Sequence, residues 1–376
     1  MDCSQRTDFV RKPRERTMPL LLTPFETCYE TKGKPWNVFI PDLDVTEYLK
    51  TLDETQEKEL RNRAENLTWR ALNVRLSIVS EFYWEASAWH DVFGKINDDE
   101  NLRTDKRPYE FVEMDSAGKQ YVKTRIPDAS FGIRGYSYMW LNFGRQIYRS
   151  DPKKKPEPLL QDRRLSRMMH NPQCGLVVDG MWGEEALIFP FAAYEAKSGY
   201  EGYDAAEKQI KHACRTYLAM LDDLARNPNN VSEYQTKESS RFQFFAFTSN
   251  ASEWRVFVAW SSLEICMVEL IWKGNISKSS DALQLLYIVD QIHDYAIKQH
   301  LPFVLKHLEV WCARDSQSCL SNNALGTPKG RPLWAILKEE SKIVKQAKSQ
   351  ETRKRNRESS GQSSNSTQTR TKRRRV

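Results

Sequence analysis

The chain has 376 residues, 40% of them hydrophobic and 28% charged, so it is long enough to bury a substantial core. It contains no run of about 18 apolar residues, which argues against a membrane span. The formal charge of +7 lies in the tail: from residue 351 onward there are nine Lys/Arg and two Asp/Glu, and removing these from the totals of 57 and 50 leaves 48 of each sign. A polyanion partner is therefore expected of the tail and not of the neutral body.

Residues 1 to about 50 are polar and punctuated by proline, and read as an arm laid over the domain. They lack the charge-then-apolar order of a signal peptide. The stretch 53–96 is helical in pattern, with Leu67, Ala71, Val74, Ile78, Phe82 and Trp89 on one face. "NDDENLRTDKRPYEF" reads as a charged loop, and "QYVKTRIPDASFGI" (120–133) as two strands. A charged, proline-bearing insertion follows, about 134–175. "GLVVDGMWGEEALIFPFAAYEAKS" is predicted to form a strand, a turn and a long second strand. Residues 203–228 form an amphipathic helix stopped by Asn227-Pro228, on which Asp222 and Asp223 read as surface charges. A hairpin over 241–260 turning at Asn250 to Glu253, a strand near "EICMVELIW" and a helix over 281–300 complete the order. The sum is an α/β domain around one central mixed sheet.

The seven cysteines (3, 28, 174, 214, 266, 312, 319) show no CxxC spacing and are expected to be reduced thiols of an intracellular protein, with no zinc site. The six histidines form no HxxxH or HExxH pattern. His293, His300 and His307 recur every seven residues, but the run crosses Pro302 and reads as coincidence. Trp254, Trp260 and Trp272 alternate with apolar strand residues and are expected in the core rather than as base-stacking platforms.

One motif stands out. On a strand, Glu195 and Lys197 project from the same face, at the end of an otherwise apolar run. Burying either charge unpaired costs several kcal/mol, so the pair needs a wet cavity, a metal or each other. A strand-end salt bridge is the ordinary explanation of such a triplet. Its neighbours extend the pattern: Glu85 in "EFYWEASAWHDVF", Asp128 in "IPDASFG" and Gln209 in "AAEKQIKHACRTYL". Together with "LIFPFAAYEAKSG" and "QFFAFTSNASEWRVFV", this order resembles the fungal nuclease-like proteins of the PD-(D/E)XK superfamily, over roughly residues 80–260.

The resemblance implies a restriction-endonuclease-like core over 51–312, with helical insertions, and a C-terminal extension from 313. It implies that Asp128 and Glu195, with Glu85, hold Mg²⁺ or Mn²⁺, that Lys197 orients the attacking water, and that Gln209 positions water or substrate. Asp179, 16 residues before Glu195, is the alternative metal ligand to Asp128, 67 residues before it. If "DGMWGEEA" is the turn, Asp179 stands roughly 30 Å from Glu195, at about 3.3 Å per residue, whereas a turn shifted to Gly183–Leu187 brings the two nearer. The implied function is a Mg²⁺-dependent nuclease acting on nucleic acid, in particular DNA. The alternative is a nuclease-fold nuclear binding or scaffold protein without turnover.

The tail is poor in apolar residues and expected to be disordered. Its basic clusters at 353–357 and 370–375, separated by residues 358–369, resemble a bipartite nuclear import signal. A nuclear import receptor is thus an expected partner and the nucleus the expected location.

Overall fold

The computed structural model describes residues 25–28, 38–75, 80–114, 120–136, 158–170, 176–179, 187–197, 202–262 and 265–324. Val10–Cys319 is one compact unit; Met1–Phe9 with Leu320–Val376 form another, of which only 320–324 are described. The basic tail lies outside the described residues.

The elements run in chain order as β1 (Phe25–Cys28), α1 (Val45–Leu49), α2 (Glu54–Arg75), α3 (Glu81–Ser87, continued by a π-helical turn Ala88–Val92) and α4 (Gly94–Asn97). Then come β2 (Leu102–Asp105), β3 (Tyr109–Met114), β4 (Gln120–Arg125), β5 (Ala129–Arg134), α5 (Asp162–His170), β6 (Leu187–Lys197) and α6 (Gly202–Ala225). The remainder is β7 (Arg226–Asn227), β8 (Asn230–Tyr234), β9 (Gln243–Asn250), β10 (Glu253–Ser262), β11 (Ile265–Asn275), α7 (Ser279–Tyr295) and α8 (Leu301–Ala324).

Seven strands form one mixed sheet in the order β1-β11-β10-β9-β6-β5-β2. Strands β2, β5 and β6 run antiparallel in turn, and β9 lies parallel to β6. Parallel neighbours need a crossover, and α6 supplies it. Strand β6 is covered on both faces, which explains its near-continuous apolar sequence. One face buries Ala193, Phe244 and Ala246 against α6, Tyr109 and Phe111 of β3, and Val304, Leu308 and Trp311 of α8. The other buries Tyr194, Phe247 and Trp254 against α2, Trp84 of α3 and α7. Trp254, Trp260 and Trp272 are all in this core.

Five expectations are corrected. The charged stretch 97–111 is not a loop: it contains β2 and the start of β3, because an edge strand keeps its charges on the open side while Leu102 and Tyr109 go inward. Phe82 is 70% exposed, since a new helix starts after Ser80, whose backbone is extended, and its phase turns Trp84 and Glu85 inward instead. Ile78 lies outside the described residues. Asp222 and Asp223 are buried, Asp222 being bonded to Arg226 and to the Tyr234 hydroxyl at 2.7 Å. Finally, the helix continues through Pro302, because the preceding π-helical turn Ala296–His300 re-spaces the backbone bonds around the missing N–H. Of the first strand expected before Asp179, the described residues 176–179 form no strand and meet β6 through the Phe189 N–H bond to the Val178 carbonyl; the predicted turn lies outside the described residues.

The β5–β6 register shifts between Phe131 and Ile133, at Gly132. A Cβ there would stand 2.8 Å from the Ile188 carbonyl oxygen and 2.7 Å from Leu187 Cδ2. Gly132→Ala is therefore expected to destabilise the domain by about 1–3 kcal/mol, measured by urea unfolding. Unchanged stability would contradict this register.

Candidate active site

The sheet brings the separate motifs to one end. Ala129 pairs with Tyr194, so Asp128, just before β5, stands beside Glu195. Its Oδ2 accepts from the Ala196 N–H at 2.7 Å, and its backbone carbonyl accepts from Trp89 Nε1 at 3.2 Å. Trp89 lies in the π-helical turn that prolongs α3, an irregularity common at functional sites. Thus α3 is tied directly to the Pro-Asp turn, and that turn to the Glu195 strand.

Glu195 is buried, at 5% exposure, and Lys197 Nζ donates to its Oε1 at 2.9 Å and to the Ala196 carbonyl at 2.9 Å. Glu85 is also buried, and its Oε2 accepts from Lys106 Nζ at 2.6 Å. The same ammonium lies 3.4 Å from Asp128 Oδ1. Burial alone would lower the Lys106 pKa, but the hydrogen bond to Glu85 and the charges of Asp128 and Glu85 outweigh it and hold it above its ordinary value.

Tyr194 reports the convergence of the three carboxylates. Burial pushes its hydroxyl well up; the bond with Ser249 at 2.7 Å opposes this, and the charges of Asp128, Glu85 and Glu195 add to the rise. On the other face, Tyr109 donates to the Gln209 carbonyl at 3.2 Å. Its own pKa is raised by burial, then by Tyr217 and Glu195. Gln209 is therefore anchored to Tyr109 through its backbone.

Asp179, the alternative ligand, is buried. It follows Val178, whose carbonyl accepts from the Phe189 N–H of β6. Its charge acts on Tyr217, which is hydrogen-bonded to Ser130.

A row of residues crosses the sheet from the site. Glu195 pairs with Thr248, Thr248 with Arg255, and Arg255 with Lys273. Directly paired residues share a face, and neighbouring strands are about 4.8 Å apart. Arg255 and Lys273 thus stand about 10 and 14 Å from Glu195. Glu207 of α6 holds Arg255 and, at 3.7 Å, Lys211. The exposed side chains of Phe82, one turn before Glu85, and Ile126, two residues before Asp128, lie on the chain next to two of the carboxylates.

The donor set fits a hard divalent cation in kind, being carboxylate oxygens. Among the described residues no three His, Cys, Asp or Glu groups come together as a ready metal cage. Between Glu85 and Asp128 stands the Lys106 ammonium instead. Sequence reasoning missed Lys106, because it sits in a charged stretch with no local pattern; only the fold brings it to the two acids. The chain matches no protein-family model and no curated protein.

Proposed function

We propose that the protein is a Mg²⁺- or Mn²⁺-dependent nuclease that hydrolyses phosphodiester bonds of nucleic acid, DNA in particular, on a restriction-endonuclease-like PD-(D/E)XK domain. One observation carries this reading: the Ala196 N–H bond to Asp128, which fixes the Pro-Asp turn beside the Glu195 strand. The helical Glu, Pro-Asp turn, Glu-Ala-Lys strand and Gln helix then adjoin in the order of that superfamily. Asp128, Glu195 and Glu85 would hold the ion, which when bound supplies Lewis-acid polarisation of the phosphate and a more acidic water. Lys197, fixed by two bonds at the strand end, orients the attacking water and offsets charge developing on the phosphate. Gln209 positions water or substrate.

Arg255 and Lys273 extend this reading as a phosphate track across the sheet. An arginine carries five donors and can contact a phosphate while Glu207 holds it. Replacing both by Gln is expected to lower the slope of log affinity against log salt by about 1.8 for duplex DNA, about 0.9 per phosphate contact. Fluorescence anisotropy at several salt concentrations reads this directly, and an unchanged slope would remove the track.

A nuclease-fold nuclear binding or scaffold module is the second reading, favoured by the pairing of Lys106 with both Glu85 and Asp128. Nuclear import through the two basic clusters of the tail is common to both. Titrating Mg²⁺ or Mn²⁺ into wild type and a Glu195→Ala/Lys197→Ala variant, with plasmid and single-stranded DNA as substrates, decides between them. Metal-dependent cleavage by the wild type alone establishes the nuclease; no cleavage and no metal binding leaves the binding module.

A further inference from the structure

We propose that Lys106 is a displaceable internal cation, which fills the place between Glu85 and Asp128 and must swing out before a divalent ion binds there. This rests on the metal-centre reading above. Glu85 and Asp128 side chains are 9% and 16% exposed, and both meet the one ammonium, at 2.6 and 3.4 Å. Two sheltered carboxylates that reach one ammonium repel each other unless a positive charge stands between them. Lys106 meets that need, with the sign of charge that a divalent ion held by the same two carboxylates would carry.

The two lysines of the site are held differently. Lys197 is 21% exposed, lies on β6 and bonds both Glu195 and a backbone carbonyl. Lys106 is 42% exposed, and Lys106 to Pro108 connect β2 and β3 outside either strand. Its four-carbon stem can carry the ammonium into solvent without moving the backbone. Lys106 is thus the group that leaves and Lys197 the one that stays. Once displaced, the ammonium remains at the mouth of the site, where a substrate phosphate is the anion to receive it. Metal and nucleic acid should therefore favour each other's binding.

The test is calorimetric titration of Mn²⁺ into the full-length wild type, Lys106→Met and Lys106→Arg, without nucleic acid. Lys106→Met, which keeps the stem and loses the charge, is expected to bind Mn²⁺ at least tenfold more tightly than wild type. Lys106→Arg, still cationic, should bind as weakly as wild type. Equal affinities of wild type and Lys106→Met would overturn the proposal and leave the metal centre standing; no binding by either would overturn both. Should Lys106→Met not fold, the wild type carries the test through reductive methylation mapped by mass spectrometry. Labelling of Lys106 should rise severalfold at saturating Mg²⁺, and an unchanged rate would overturn the proposal.

Discussion

Lys197→Met is expected to lower metal-dependent cleavage by about 10²–10³-fold in kcat, the range seen when one preorganised donor to a developing negative charge is removed. The substitution keeps the side chain's length and apolar stem, so the end of β6 should keep its packing against Ala129 and Thr248. It removes the ammonium that bonds Glu195 Oε1 at 2.9 Å. Because the proposed role is exercised on the attacking water and the charge gained by the phosphate, KM should change far less than kcat. A proportionate rise in KM with intact kcat would make Lys197 a substrate-binding group and remove it from the chemistry. Glu195→Gln should lose activity to a similar extent and also lose metal affinity, which Lys197→Met should not.

Acid should unfold the domain partly through one histidine. His300, fully buried in the π-helical turn before α8, packs near Phe191 and Tyr295 and donates from Nε2 to the Phe189 carbonyl at 2.9 Å. Burial lowers its pKa from 6.5 to about 4, against a smaller raising effect of that hydrogen bond. Above pH 6.5 the ring is neutral whether the chain is folded or not, and it contributes nothing to pH dependence. As pH falls below 6.5 the unfolded chain takes up a proton that the folded ring refuses, and stability falls until about pH 4. The loss between pH 7 and pH 4.5 is about 2–3 kcal/mol. His300→Gln retains a donor for Phe189 and does not titrate, so it should lack this part of the acid loss. Urea unfolding of both proteins at the two pH values reads the difference, and parallel losses would place His300 in a wetter environment.

The sequence was most legible where burial on both faces or one face imposes a simple pattern. Strand β6 is an unbroken apolar run because it is covered on both sides, and β9 and β10 announce their hairpin as two apolar, aromatic-rich runs around a short polar turn. The pairing of Glu195 and Lys197 on one face follows from the period of a strand alone. Edge strand β2 was illegible because three of its four residues are only partly buried, and their charges imitate a loop. Lys106 was illegible for a different reason. Its partners Glu85 and Asp128 are 21 and 22 residues away on either side, and nothing local distinguishes it from neighbouring Lys and Arg side chains. The same limit applied to Asp222, which is bonded by Tyr234 of β8 where that strand folds back over the end of α6.

Glu85, Asp128 and Glu195, from a helix, a turn and a strand, are proposed to serve one cation. Replacing Mg²⁺ by Fe²⁺ and generating hydroxyl radicals at the bound ion with ascorbate and peroxide tests it most directly, because the radicals cut the chain only near the metal. Cuts are expected near residues 85, 128 and 195 together, all suppressed by excess Mg²⁺. Cuts confined to one of these segments, or located elsewhere on the chain, would contradict it.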